Sequence, residues 1–155
     1  MIRRINSAGL ALLRAFESCE LEAYRDVAGI WTIGWGHTGR DVVPGLEINQ
    51  QRADALLLGD LDPVERRLST LRAPLNDNQF GAFAVFLFNV GLGALNGEGM
   101  SAALSSPDWE VAVPVQMLRW NKATVKGQKV VVPGLARRRE AEVAMWQTPC
   151  VPAAA

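Results

Sequence analysis

The chain has little of the side-chain chemistry on which many enzymes depend, since its 155 residues include one histidine, one tyrosine and two cysteines. One histidine and no closely spaced pair of cysteines give no metal-ligand set, so neither a metal nor another cofactor is expected. Cys19 and Cys150 are too few for a disulfide framework. Unbridged thiols in a reducing compartment are therefore the expectation, and a bridge between the two is the less favoured alternative.

Long uncharged apolar segments are also missing. The first 17 residues place arginines ahead of an apolar run, as a signal peptide does, but Arg14 and Glu17 interrupt that run. No stretch approaches the roughly 18 apolar residues of a membrane span. We therefore expect a chain with no signal peptide and no membrane anchor, which stays where it is made.

The chain has no overall charge, because sixteen basic side chains balance sixteen acidic ones. The charges are uneven, and positions 115–155 hold seven Lys or Arg and two Glu. Such an excess is more often a solvated face, but it could also hold the protein on an anionic wall polymer. A nucleic-acid binder using Arg137, Arg138 and Arg139 is a further alternative, which the neutral total and the lack of interleaved aromatic residues disfavour.

The stretch 16–39, FESCELEAYRDVAGIWTIGWGHTG, combines two carboxylates, a threonine and the histidine with several glycines. The glycines interrupt a helical period, and Trp31-Thr32-Ile33 alternates as a strand does. We predict a helix ending around 17–20, a strand over 21–25, a turn at 27–29 and a returning strand over 30–35.

A hairpin returning over a helix end can bring Glu17, Asp26 and Thr32 to one side of a cleft. Two carboxylates with a hydroxyl between them suit cleavage of a glycosidic bond, which requires a carboxylic acid and a carboxylate. Partial burial beside Phe16 or Trp31 would keep Glu17 protonated as the general acid. Asp26 would stay ionised in its polar turn, and Thr32 would position a water. Each residue alone also has an ordinary role in a helix, a turn or a strand.

The spacing strengthens this interpretation, because eight residues separate Glu17 from Asp26 and five separate Asp26 from Thr32. With the surrounding AYRDVAGIWTIGWGHTG, this pattern resembles the catalytic Glu-Asp-Thr triad and hairpin of the phage-type lysozymes, glycoside hydrolase family 24. Two further segments resemble the same family. They are LNDNQFGAFAVFLFNVGLGAL and the start of the final helix, where Gly134-Leu135 is followed by three arginines.

The resemblance implies an α+β, mostly helical, two-lobed lysozyme-like fold, with a small N-terminal β-hairpin or sheet, a helical C-terminal lobe and a cleft between. The expected layout is a single domain, 1–155. It comprises a catalytic hairpin lobe at about 15–50, a linking helix at about 49–71, and a C-terminal lobe at about 75–148 on which the first helix packs.

The resemblance also implies an activity. The family hydrolyses, with inversion, the β-1,4 bond between N-acetylmuramic acid and N-acetylglucosamine in peptidoglycan and so lyses the host cell. The expected protein is a monomeric endolysin whose partner is the glycan strand. It would wait in the host cytoplasm until a holin releases it to the periplasm and wall. The alternative is a weak or inactive peptidoglycan-binding protein of the same fold.

Further residues are assigned supporting roles. Trp35, Gln79 and Asn89 are candidate substrate contacts, although a structural role is favoured for Gln79 and a helix cap is an equal alternative for Asn89. His37 is expected to be a hydrogen-bonded structural residue, because a glycosidase needs only the two carboxylates. Arg138 is assigned structural support, and which of Arg137, Arg138 and Arg139 pairs with Glu17 stays open.

Two segments depart from the family pattern. Gly97–Met100 stands where the family often has Ser-Thr-Leu, and we predict a mobile loop there. Residues 122–133 predict a hairpin with a Lys126-Gly127 turn, longer than is common in the family. We expect its Val130–Val132 edge to pack on the lobe, since an exposed edge favours aggregation. The tail from Thr148 is expected to fray.

Overall fold

The computed structural model describes residues 1–151. The helices are α1 (Ser7–Phe16), α2 (Gln50–Leu68), α3 (Asp77–Val90), α4 (Glu98–Ser105), α5 (Trp109–Leu118) and α6 (Pro133–Gln147), with a 3-10 turn at Leu92–Asn96. The strands are β1 (Glu20–Arg25), β2 (Trp31–Gly34), β3 (His37–Thr38), β4 (Lys122–Val125) and β5 (Gln128–Val131). The predicted class, α+β and mostly helical, is confirmed.

The chain divides into two compact units. The smaller unit is Leu13–Pro63, and the larger unit joins Met1–Leu12 to the chain from Val64 onward. One division lies inside α1 and the other at Pro63 inside α2, which continues through the proline. A proline in a helix removes one backbone hydrogen bond, but α2 is nevertheless a single helix over the region where we predicted the linking helix.

A three-stranded antiparallel sheet, in the order β1-β2-β3, forms the smaller unit's centre. In its central strand, Thr32 pairs with Tyr24 on one side and with Thr38 on the other. The second edge of β1 is also occupied, because the N–H of Ala23 donates to Leu46 O at 2.9 Å. The sequence predicted β1 and β2 closely and missed β3, which has only two residues.

Helix α3 forms the core of the larger unit, and its residues 79–87 are all buried. The Phe83 ring lies 6.0 Å from Phe86 and 5.9 Å from Trp146 of α6. Each such buried side chain stabilises the fold by about 1.5–3 kcal/mol. At Gly81 a Cβ would lie 2.7 Å from Asn6 Oδ1 and 2.8 Å from Met145 Cε, so a larger residue would require these side chains to move.

Strands β4 and β5 form the predicted hairpin, turning at Lys126 and Gly127 with φ of 49° and 79°. Two positive φ angles define the turn type that suits two-residue hairpins. The expectation that the valine edge packs is wrong, since Val130 is 40 % and Val131 54 % exposed. Lysines on the same ribbon discourage edge-to-edge association and so permit this exposure.

The predicted loop at Gly97–Met100 is also wrong, because α4 starts at Glu98. Gly97 is the N-cap of α4, and Gly99 lowers helix propensity inside it but does not prevent a helix whose Met100 and Ala103 are buried. In the tail, Thr148 Oγ1 donates to Ala144 O at 2.8 Å. Asn78 Nδ2 also donates to Thr148 O and Pro149 O, at 3.1 and 3.3 Å. Residues 152–155 of the predicted tail lie outside the described part of the chain.

Cys19 and Cys150 are unbridged. Among the helices of residues 1–151, none has the length and apolar character needed to cross a membrane.

Candidate active site

Glu17 follows α1 directly. Its N–H donates to Leu13 O at 3.0 Å, which continues the hydrogen-bond pattern of α1 by one residue. The side chain is half-buried. The carboxylate is therefore carried at the end of a rigid element, as predicted.

Asp26 organises the turn between β1 and β2. Its Oδ1 accepts hydrogen bonds from the N–H groups of Ala28 and Ile30, both at 2.9 Å. The turn is closed by the N–H of Asp26, which donates to Ile30 O at 3.0 Å, and by that of Gly29, which donates to Asp26 O at 2.9 Å. Because the loop holds one carboxylate oxygen, Oδ2 is presented in a fixed orientation.

Thr32 lies in the central strand and is 4 % exposed. Its Oγ1 donates to Ile30 O at 2.9 Å. Since the one hydroxyl proton is used in that bond, the remaining capacity of Oγ1 is to accept. A water bound to Thr32 would therefore donate a hydrogen bond to Oγ1 and keep an oxygen lone pair for attack.

Tyr24 connects these three residues, and the sequence analysis did not identify it. It lies opposite Thr32 in the β1–β2 register. The pKa of its phenol is raised by burial first, and then by the negative charges of Glu20, Asp26 and Glu17. The structure thus brings both predicted carboxylates within electrostatic reach of one side chain. The sequence offered a partial signal, because Tyr24 lies in the predicted strand two residues before Asp26.

His37 is held on both sides of its ring. Its Nδ1 lies 2.9 Å from both carboxylate oxygens of Asp60, and its Nε2 lies 3.0 Å from Asp41 Oδ2. Burial alone would lower the pKa of His37, but the hydrogen bonds to Asp60 and Asp41 outweigh it and raise that pKa. This geometry agrees with a structural rather than a catalytic histidine.

Trp35, a predicted substrate contact, belongs to a polar cluster of the smaller unit. Its indole N–H donates to Asp54 Oδ1 at 2.8 Å, and Gln50 Nε2 donates to the same oxygen at 3.0 Å. The hydrogen bond from Trp35, followed by the one from Gln50, lowers the pKa of the Asp54 carboxyl. The Arg14 guanidinium lies 5.6 Å from the Trp35 ring centre, so one ring face is already covered.

Gln79 and Asn89 are held at the two ends of α3. Gln79 is 5 % exposed and forms a capping box with Asn76, with hydrogen bonds of 2.8 and 2.9 Å. That burial weighs against the predicted sugar contact of Gln79 and favours its structural role. Asn89 is exposed, and its Oδ1 accepts from Arg139 Nη2 at 2.8 Å, which leaves Nδ2 as the outward donor.

The three arginines of α6 separate in the structure. Arg137 is exposed, whereas Arg138 and Arg139 are buried and both contact Glu142 Oε1, at 3.3 and 2.7 Å. Burial raises the pKa of Glu142, although the two arginines act in the opposite direction. Arg138 and Arg139, two of the three arginines considered for a nucleic-acid surface, are therefore buried against Glu142 and not available to bind a phosphate backbone.

Comparisons with known proteins identify the family of the chain. A family profile described as phage lysozyme matches residues 14–142. The endolysin of Acyrthosiphon pisum secondary endosymbiont phage 1 is 35 % identical over 145 residues, covering 93 % of this chain and 98 % of that protein. The muramidase domain of SpmX from Asticaccaulis excentricus superposes with a TM-score of 0.83 at 32 % identity, covering 95 % of this chain and 99 % of that one. An endolysin from Escherichia coli phage FAHEc1 has a TM-score of 0.82 at 31 % identity, with 97 % of each chain covered.

The resemblance inferred from the hairpin is thereby confirmed, and so is the lysozyme-like fold. This chain belongs to the phage lysozyme family.

Proposed function

We propose that the protein is a muramidase of the endolysin type, which hydrolyses the β-1,4 bond between N-acetylmuramic acid and N-acetylglucosamine in peptidoglycan. The observation that carries the proposal is the grouping around Tyr24. The charges of Glu17 and Asp26 both act on this side chain, and Thr32 lies opposite it on the next strand.

In this mechanism Glu17 is the general acid. It protonates the glycosidic oxygen of the leaving sugar while an oxocarbenium-like centre develops on the other side of the bond. Asp26 acts as the general base through Oδ2, because its other oxygen is held by the N–H groups of Ala28 and Ile30. Thr32 Oγ1 accepts a hydrogen bond from the attacking water, whose other proton passes to Asp26, and so directs the water's lone pair at the anomeric carbon.

The proposed stereochemical outcome is inversion. It requires the attacking water to fit between the carboxyl groups, which in inverting glycosidases are roughly 6.5–9.5 Å apart. Proton NMR of the first product from a soluble oligosaccharide substrate identifies the anomer released. The α-anomer supports inversion, and the β-anomer contradicts it.

The decisive experiment is mass spectrometry of purified sacculi after digestion. Reducing-end muropeptides are expected, while anhydro ends would identify a lytic transglycosylase instead. Glu17→Gln and Asp26→Asn should each lower the rate by about 10²–10⁴-fold, as loss of an acid or base does. Glu20→Gln is the matched control, because Glu20 also acts on Tyr24 but has no catalytic role in the proposal.

The alternative is a binding protein of the same fold without activity. It predicts that the wild-type chain sediments with sacculi and releases no muropeptide from them. We further propose that the enzyme acts as a monomer on glycan strands, and that it waits in the host cytoplasm until a holin opens the route to the wall. Lysis by the chain expressed with and without a holin tests that route.

A further inference from the structure

A pocket of about 520 Å³ lies in the larger unit, and none of the candidate catalytic residues lines it. Its wall is formed by the end of α2, the loop that follows, the 3-10 turn, α4 and the start of α5. The volume is within the range of about 300–1,000 Å³ that is typical of small-molecule sites. The structure therefore offers a place for a small ligand that the proposed reaction does not use.

Arg67 and Arg72 supply the charge of this pocket, and no acidic side chain of residues 1–151 lines it. Neither arginine forms an ion pair with an acidic side chain in that part of the chain. Compensation of the helix dipole accounts for Arg67, which lies in the last turn of α2. It does not account for Arg72, which lies beyond that helix. Two cations on one concave surface concentrate anions there.

Arg67 is held in position without a ligand. Its Nη1 donates to Thr70 Oγ1 at 2.9 Å, and the Thr70 hydroxyl donates in turn to Arg67 O at 2.8 Å. A guanidinium has several N–H donors, so this bond leaves the others for a ligand. Because the side chain is positioned in advance, binding would cost less conformational entropy.

Two serines of α4, Ser101 and Ser105, add neutral polar groups to the lining. The Ser105 hydroxyl donates to Ser101 O at 3.0 Å, whereas the Ser101 hydroxyl has no hydrogen-bond partner within residues 1–151. A carboxylate has two oxygens, and one arginine can occupy both in a bidentate pair. A phosphate has more acceptor oxygens, so it can contact two arginines and a hydroxyl together. The donors of the pocket therefore suit a phosphate better than a carboxylate.

Most other residues of the lining are apolar. Leu95 is 4 % exposed, and Leu71, Leu104 and Trp109 are half-buried. The Trp109 ring packs edge-on against Trp146 at 6.0 Å, so this part of the wall is rigid. An inorganic ion would leave the apolar surface uncovered, whereas a phosphate ester with an aliphatic substituent would cover it.

We propose that this pocket binds a phosphate ester with an aliphatic substituent, a chemistry shared by anionic phospholipids and soluble alkyl phosphates. Arg67 and Arg72 would hold the phosphate, and Ser101 would donate a further hydrogen bond to it. The leucines and Trp109 would cover the substituent. The inference does not depend on the proposed muramidase reaction. With a membrane lipid as the ligand, the pocket would hold the larger unit at a bilayer surface.

The test titrates the whole protein with butyl phosphate and follows the NMR signals of the Trp109 indole and the Ser101 amide. Saturable shifts of both signals are expected. Since each buried methylene raises affinity about fourfold, butyl phosphate should bind about tenfold more tightly than inorganic phosphate. Equal affinity for the two, or no saturable shift, would overturn the proposal.

Arg67→Gln combined with Arg72→Gln should weaken the binding of butyl phosphate about tenfold, from two partly screened charge contacts. Arg66→Gln combined with Lys126→Gln is the matched control, because it removes two exposed charges from outside the pocket lining. An equal loss of affinity in both double variants would indicate non-specific attraction and contradict the site.

Vesicles distinguish the two sources of the ester. Cosedimentation with phosphatidylcholine vesicles that contain phosphatidic acid, lost in the Arg67→Gln/Arg72→Gln variant, would identify a membrane lipid. Binding of butyl phosphate without cosedimentation would identify a soluble ester. Tighter binding of adenosine monophosphate than of butyl phosphate would place a nucleobase on Trp109 in place of the aliphatic substituent and would overturn the proposal.

Discussion

Tyr24 lies directly opposite Thr32 in the β1–β2 pair and within electrostatic reach of Glu17 and Asp26. Because it is the only tyrosine of the chain, its ionisation can be followed without interference from another phenol. The wild-type phenol should titrate above its ordinary value of 10.0. Glu20→Gln, Asp26→Asn and Glu17→Gln should each bring its pKa down, with Glu20→Gln having the largest effect. Absorbance of tyrosinate against pH gives the measurement, and Glu98→Gln is a distant control.

Absence of any change with Asp26→Asn and Glu17→Gln would mean that these carboxylates do not surround Tyr24. The proposed grouping would then have to be abandoned, whatever the activity of the variants.

Thr32→Val keeps the shape of the side chain and removes the hydroxyl. It should reduce kcat by about 10–100-fold, because the attacking water loses the group that orients it. Stability should fall by only about 0.5–1.5 kcal/mol, the worth of the lost hydrogen bond. Thr32→Ser restores the hydroxyl and should recover most of the rate. Initial rates on sacculi and urea unfolding of both variants distinguish loss of the water contact from loss of folding.

His37 predicts a pH-dependent stability. The pKa of His37 is raised in the folded protein. Its pairing with Asp60 and Asp41 therefore stabilises the fold fully at pH values below the unfolded pKa of about 6.5. This stabilisation is lost as pH rises through the higher pKa of the folded protein. The pKa of Asp41 is lowered, chiefly by the hydrogen bond from His37, so its share is lost as pH falls below about 3.8 toward the folded value.

The stability difference between wild type and His37→Gln should therefore be greatest at roughly pH 4–6.5 and should shrink above it. Midpoints of urea unfolding between pH 3 and 9 report this profile. Asp41→Asn serves as the control, because it retains the Asp60 pair and should lose only part of the effect. A difference that is constant over the whole range would contradict the ion pairs.

Arg139 and Glu142 form a buried ion pair, with Arg139 1 % and Glu142 0 % exposed. Arg139→Met leaves the Glu142 carboxylate with less compensation and should cost about 3–5 kcal/mol of unfolding free energy. Arg137→Gln, on the exposed side of the same run, should change stability by no more than about 0.5 kcal/mol. Chemical denaturation measures both, and similar values for the two variants would contradict the separation of these arginines.

The sequence predicted well those structural elements that depend on residues close together in the chain. The hairpin over 20–34 follows from glycine placement and strand alternation, and the second hairpin from its Lys126-Gly127 turn. The grouping of Glu17, Asp26 and Thr32 was inferred from their spacing within one short segment. Their assignment as acid, base and water-positioning residue remains a prediction.

Features that depend on contacts between distant parts of the chain were missed. His37 pairs with Asp60, and neither residue indicates the other in the sequence. Helix α4 forms despite Gly99, because burial of Met100 outweighs the low helix propensity of that glycine. The exposure of Val130 depends on what the hairpin packs against, which strand alternation does not specify.

The buried charges have a consequence for the outer surface. Two acidic side chains, Glu65 and Glu142, and two basic ones, Arg138 and Arg139, are buried, so the accessible surface stays neutral overall. The seven basic and two acidic side chains of positions 115–155 leave nine basic and fourteen acidic ones in residues 1–114. Such a molecule has a dipole moment but no net charge. A polyanionic wall would therefore rotate it before contact more strongly than it would attract it, and added salt would weaken that alignment.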